Sequence, residues 1–467
     1  MALTTFATSA IGMITTLLLP KMLSPEAFGL FTLGGLINNL AVKVTGLGQG
    51  EYVIYKQNNE ERVQTVSFTT YLASNLIFFI LQIILAKTLA AYFHNTLLAP
   101  IYFWTAGSYL ITSFNLIPNS VLSKRLDFKR KFWPEFYGVV VYTLVALTLA
   151  WKGYGVWALV FSGLSSNLIT MIGLWISSGW RPKLCWDRAV AKEMFSYGLP
   201  LMANGILVYL WFNMDRFFIG KYLDAKQLGY YTVAFQFAYL LPMKLNQIVT
   251  TVLFPAYSSL DEKDEERSSI FRRSFTLTGF LAGLIAVLTY YLAKPFIFYM
   301  YGGGWQLTAE VMRIFAVFSF ASIISAPMVS LLMSLGLSRW LMYSTLLGLA
   351  MAGVLIIMTV SHGVIAVAWS MTAAVYIYVA ALIFFCYRRI SSENKSQFII
   401  SIFSSLLSTA ALLMIANHLG KYIYDSGLAP LTSNIIVALI VSLAFILFHL
   451  SINRDLGHDI MRLMRRR

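Results

Sequence analysis

Four charged residues stand where charge is costly. Lys244 lies inside an apolar run that ends near Pro255, with Gln236, Asn246 and Gln247 around it. Lys43 lies inside another, and Asp215 and Arg216 sit side by side near the end of a third. A helix rises ~1.5 Å per residue, which places Lys244 ~16 Å from the helix end. That is near the middle of a hydrocarbon core ~30 Å thick. A lysine there costs roughly 2.5–3.5 kcal/mol on insertion scales, and its stem is too short to reach an interface. The expectation is a lysine turned toward a wet or protein-lined interior.

Two stripes share this character. Gly35, Asn39, Lys43, Gly46 and Gly50 recur at helical spacing, as do Thr232, Gln236, Lys244, Gln247 and Thr251. Matching stripes predict a cationic cavity. Arg216 is expected to receive an anionic headgroup, with Asp215 as its counter-charge or as a titrating site. Asn39, Gln236, Gln247 and Trp211 are expected to line the cavity. Plainer roles remain open for each: lysines bonded to backbone carbonyls, and an Asp215–Arg216 pair that merely anchors a helix end. Glu310 and Arg313, three apart, read as a local ion pair.

Covalent chemistry finds no residues to work with. His94, His362, His418, His449 and His458 are scattered without metal-ligand spacing, and no phosphate-binding loop is present. No catalytic residue, metal or cofactor is expected, and the chain is not expected to be an enzyme. A coupling ion, H+ or Na+, is left open. Cys185 and Cys386 are expected to be reduced, unpaired thiols in or beside loops.

The elements that must hold these residues are membrane helices. Hydrophobic residues make up 58% of the 467 and charged residues 12%, about half the share of a soluble domain. Runs long enough to span occur at about 3–22, 28–49, 66–91, 98–121, 134–151, 154–177, 196–219, 228–255, 274–300, 309–335, 340–360, 362–387, 398–418 and 430–450. The fold class is therefore all-α and polytopic, with about fourteen transmembrane helices. Of the 35 Lys and Arg, 24 fall at alternate loops and the tail, 7 at the opposite loops and span ends, and four inside spans. That asymmetry puts both termini in the cytoplasm of a multi-pass membrane protein. The net charge of +15 is then a positive-inside signature, and no nucleic acid is expected. The cluster Lys124 to Lys131 and the terminal arginines read as anchors on anionic lipid. Met1 opens directly on an apolar run, so no cleaved signal is expected.

The chain also repeats itself. Lys21, Leu23, Gly29 and Thr32 recur 200 residues on as Lys221, Leu223, Gly229 and Thr232, and Lys43 recurs as Lys244 with one residue of slip. Two six-helix lobes, 1–180 and 181–390, are expected to be related by a pseudo-twofold along the membrane normal. Two extra helices over 391–452 and a basic cytoplasmic tail over 453–467 would follow.

Short motifs punctuate the chain: Leu23-Ser24-Pro25-Glu26-Ala27-Phe28-Gly29, Gly46-Leu47-Gly48-Gln49, Lys124 to Lys129, Gly153 to Val160, Trp180 to Leu184, Phe254 to Ser258, and Asn213 to Gly220 with Leu228 to Tyr231. Together they resemble the motifs of bacterial polysaccharide flippases of the Wzx type. The resemblance covers about residues 15–390 and is nearest the colanic acid and teichuronic acid exporter branch of the multidrug/oligosaccharidyl-lipid/polysaccharide exporter superfamily. It implies a two-lobe transporter in the bacterial cytoplasmic membrane that flips undecaprenyl-pyrophosphate-linked oligosaccharide by alternating access. Lys43, Lys244 and Arg216 would hold the pyrophosphate. Implied partners are the lipid-linked oligosaccharide, membrane lipids, and a neighbouring polymerase or glycosyltransferase. Two other readings stay open: a cation-coupled multidrug exporter, against which the surplus of positive charge weighs, and a membrane glycosyltransferase, against which the short, carboxylate-poor outer loops weigh.

Overall fold

The computed structural model describes residues 2–58, 60–260, 264–389, 395–396, 398–400 and 402. The two last expected spans and the basic tail lie outside the described residues. The chain divides into two compact units, Met1–Gly229 and Tyr230–Arg467.

The first unit begins with α1 (Ala2–Met22), α2 (Pro25–Gly46) and the short α3 (Gln49–Tyr55). It continues through α4 (Glu60–Tyr92), α5 (Leu98–Lys124), α6 (Phe128–Trp151), α7 (Val156–Ser178) and α8 (Arg188–Tyr222). Then come α9 (Ala225–Ser258), α10 (Asp264–Tyr301), α11 (Gln306–Ser334), α12 (Ser338–Thr359) and α13 (Val364–Arg389). The first twelve expected spans all fall on helices. Ten segments among the described residues are long and apolar enough to cross a membrane. Residues 98–121 form α5 but are not among those ten, because Ser, Thr, Asn and Tyr dilute their apolar character.

Polar side chains hold the first unit together where no water competes. Asn38 of α2 donates to the Ser108 hydroxyl of α5 (2.9 Å), and Tyr109 of α5 donates to Gln82 Oε1 of α4 (2.6 Å). Thr45 of α2 donates to Asn75 Oδ1 of α4 (3.3 Å), and Thr15 of α1 meets Thr143 of α6 (2.7 Å). Gly173 of α7 faces Pro134 of α6 at close range, a small residue admitting a near approach of helices.

The second span of the sequence is interrupted. Leu47 (φ 43°) and Gly48 (φ 61°) are both left-handed and separate α2 from α3. Gly50 therefore leaves the expected stripe and packs on Leu116 and Ser120 of α5. A close approach to α8 accompanies the break: a Cβ on Gly198 would stand 1.6 Å from Leu47 O.

The start of α2 meets the first turn of α9, and this contact explains the repeated motif. Ser24 caps α2 by accepting the Ala27 N–H (3.3 Å), and Asp224, 200 residues on, accepts the Gln227 N–H (2.6 Å). A Cβ on Gly29 would lie 1.7 Å from Ala225 O, and a Cβ on Gly229 would lie 1.7 Å from Pro25 O. Each copy of the motif thus sets its glycine on the carbonyl of the other copy's first helical residue.

In the second unit α11 is buried along nearly its whole length, packed between α10 and α13. α9 joins it through polar contacts. Ser319 donates to Ala238 O (3.0 Å), Asn246 donates to the Ser322 hydroxyl (3.1 Å), and Tyr239 meets the same hydroxyl (3.2 Å). Arg313 does not pair with Glu310; its guanidinium lies 3.9 Å from the Tyr290 ring centroid. Cys386 is fully buried near the end of α13, and Cys185 is exposed; both are free thiols.

Candidate functional site

The Lys43 side chain is exposed, although Thr45, two residues along α2, is buried. Helical periodicity separates them: the face carrying Gly34, Asn38, Ala41 and Thr45 is consumed by α4 and α5. Asn39 and Lys43 lie off that face and are exposed. The Lys43 stem reaches α8, with its Cδ 4.0 Å from where a Cβ on Gly205 would stand. Gly35 leaves similar room beside the Asn39 amide.

α8 supplies the remaining candidates of the first unit. Asp215 is 2% exposed, while Trp211 and Arg216 are half-buried. Arg216 Nη1 donates to Asn213 Oδ1 (3.0 Å), and Asn213 Nδ2 donates to Tyr209 O (2.9 Å). The Tyr209 hydroxyl then donates to Leu36 O of α2 (2.6 Å). Arg216 is thus oriented by a chain of polar contacts that ends on the backbone of α2. Tyr209 and Asn213 are missing from the sequence-based site. Their spacing to Arg216, four and then three residues, was the signal that could have found them.

In the second unit Gln236, Lys244 and Gln247 are all exposed. They lie on the side of α9 away from Ala238, Tyr239 and Asn246, which bond α11. Each unit therefore carries one exposed lysine, Lys43 on α2 and Lys244 on α9, off the face that bonds the neighbouring helices. Among the described residues no group of His, Cys, Asp or Glu could hold a metal.

A second charged assembly lies in the first unit, at the helix ends near Lys124 to Lys131. Lys56 pairs with Glu193, Arg62 with Asp187, Lys124 with Glu60 and Lys183 with Glu61. These pairs tie the start of α4 to the end of α5 and to the segment before α8, and the segment before α4 to the start of α8. Asp187 is the N-cap of α8 and accepts the N–H groups of Val190 (3.3 Å) and Ala189 (2.8 Å). Those backbone donors, the nearer to the helix first, hold its carboxyl below the usual aspartate range, and Arg62 adds to the effect.

The profile of the family described as "polysaccharide biosynthesis protein" matches residues 18–310, more than half of the chain. The chain belongs to that family. Among curated relatives, the succinoglycan biosynthesis transport protein ExoT of Rhizobium meliloti (strain 1021) is 24% identical over 322 residues, 66% of this chain and 63% of that protein. The teichuronic acid biosynthesis protein TuaB of Bacillus subtilis (strain 168) is 23% identical over 397 residues, 80% of this chain and 78% of that protein. The chain thus spans somewhat less than two thirds of ExoT. The solved structure of the lipid II flippase MurJ in an inward closed conformation superimposes with a TM-score of 0.75 at 16% identity, covering 97% of this chain and 99% of that one. At that identity the likeness establishes the fold alone, a polytopic all-α fold.

Proposed function

We propose that the protein flips an undecaprenyl-pyrophosphate-linked oligosaccharide from the inner to the outer leaflet of the bacterial cytoplasmic membrane by alternating access, with both termini in the cytoplasm. The observation that carries this reading is the pair of exposed lysines, Lys43 on α2 and Lys244 on α9, each inside a membrane-length apolar helix. In a membrane such lysines persist only where they meet water, protein or a polar ligand. Lys43, Lys244 and Arg216 would hold the pyrophosphate. Arg216 is suited to this because its guanidinium is already oriented by Asn213. Asp215 would balance or titrate against these cations, and Asn39, Gln236, Gln247 and Trp211 would contact sugar. No covalent step is assigned to the chain. Membership of a polysaccharide biosynthesis family and a relative named as a transport protein support the reading. The lobe division at residue 180 belongs to the same proposal, as a division by repeat rather than by packing.

The test is a deletion strain scored for lipid-linked repeat units. These are expected to accumulate at the cytoplasmic face and to clear when the gene is restored. Lys244→Ala is expected to insert normally yet leave the units trapped. Wild-type surface polysaccharide in that variant would refute the assignment of Lys244.

A further inference from the structure

The outer surface of the first unit carries a groove of about 520 Å³ between α5 and α7. Leu110, Ile111 and Phe114 form one wall and Met171, Ile172, Trp175 and Ile176 the other, with Arg181 at the mouth. Both helices run toward the end that carries Lys124 to Lys131, so the groove descends from that end into the apolar region. Its walls are fixed by a backbone defect. Pro118 has no N–H to offer the Phe114 carbonyl four residues earlier. The Trp175 indole supplies the missing donor, its Nε1 donating to Phe114 O at 2.9 Å, so a rigid aromatic plate is pinned across from α5. Ile172 and Ile176 stand open beside it, 44% and 77% exposed.

The charge at the mouth is distributed unevenly. Lys56, Arg62, Lys124 and Lys183 at this end each hold a carboxylate. Arg181 bonds only a backbone carbonyl, Trp180 O, at 3.2 Å. Arg125 donates to Ser178 O at 3.3 Å, three residues before Arg181. Neither guanidinium forms an ion pair among the described residues. Positive charge left uncompensated above a hydrocarbon-lined slot is complementary to a phosphate carrying an acyl chain. Met171 to Ser178 rise ~10 Å, and Leu110 to Lys124 ~21 Å, so the slot extends over about one leaflet.

We propose that this groove is a binding site for one anionic phospholipid of the leaflet at the basic end, its phosphate on Arg181 and Arg125 and an acyl chain against Phe114, Ile172 and Ile176. The site is separate from the polar faces of α2 and α9 and does not depend on the transport reading. A polyprenyl phosphate shares the same chemistry, but its chain is several times longer than the slot, which favours the phospholipid.

The test is native mass spectrometry of the delipidated protein titrated with phosphatidylglycerol and, separately, with phosphatidylethanolamine of the same chains. Wild-type protein is expected to take one phosphatidylglycerol ahead of phosphatidylethanolamine. Arg181→Gln should weaken that first binding roughly fivefold, the factor corresponding to about 1 kcal/mol for one basic group at a membrane surface. Ile172→Trp, which fills the slot and keeps both arginines, should weaken it as well, while Lys129→Gln, at the same end but away from the groove, should not. Unchanged binding in both Arg181→Gln and Ile172→Trp would overturn the proposal, as would equal affinity of the wild type for the two lipids. Displacement of phosphatidylglycerol by undecaprenyl phosphate, with loss of undecaprenyl phosphate binding in Ile172→Trp, would overturn it too, by giving the groove to the polyprenyl chain.

Discussion

Asp187 illustrates how a single side chain couples two tasks in the first unit. It caps α8 and neutralises Arg62, so its ionised form is the one the fold uses. A carboxyl with a depressed folded pKa contributes stability above its unfolded value, about 3.9, and that contribution fades as pH falls through the folded value. The melting temperature of the purified protein should therefore drop on acidification below about pH 4. Asp187→Asn should start lower at neutral pH and show a shallower acid decline, measured by thermal denaturation across pH 3–7. An identical pH profile in the two proteins would remove Asp187 from the account. At this scale the sequence was legible where costs are one-sided: an embedded lysine or arginine stands out because the bilayer penalises it. Asn213 and Tyr209 did not stand out, since an amide and a phenol on an apolar helix carry no such penalty, and only the bonds Arg216 to Asn213 and Tyr209 to Leu36 O give them a role.

Among the elements, α2 meets backbone at both ends, the first turn of α9 at its start and Gly198 of α8 beyond its last turn. Gly29 and Gly229 each occupy a position where a side chain would strike a carbonyl oxygen at 1.7 Å. Overpacking of this kind costs typically about 1–3 kcal/mol. Gly29→Val and Gly229→Val should each lower the melting temperature in detergent. Because both act on the one reciprocal contact, the double variant should lose less than the sum of the two. Strict additivity would mean that the two contacts are independent. The sequence reported the repeat that produces this arrangement but not the arrangement itself. Spacing of 200 residues shows that two segments are alike, whereas their mutual contact is a tertiary fact. The break at Leu47 and Gly48 was hidden for a similar reason. Leucine in the left-handed region is disfavoured locally, and it is the approach of Gly198 that accompanies it here.

For the molecule as a whole, the helical class and the first twelve spans followed from hydropathy, because a bilayer permits few alternatives to a helix of sufficient length. Helix ends were less legible. α8 begins at Arg188, ahead of its apolar run, since the Asp187 cap and the ion pairs of Arg62 and Glu193 extend it. The burial of Cys386 near the end of α13 was not legible, because it depends on the helices packed against that turn. The two thiols give a direct check on the molecule in its native state. A maleimide should label Cys185 promptly and Cys386 only after denaturation, one thiol and then two by intact mass. Rapid labelling of both in the folded protein would contradict the packing of α13.

The α2–α8 contact also bears on biosynthesis. Translation proceeds at about 5–20 residues per second, so α8 reaches the membrane roughly ten to thirty seconds after α2. Through that interval Leu47, Gly48 and the Lys43 stem stand in the bilayer without the helix they meet in the folded chain. The nascent chain is then most in need of an insertase or chaperone that shelters α2, and a stall between residues 46 and 188 would hold it at its most vulnerable.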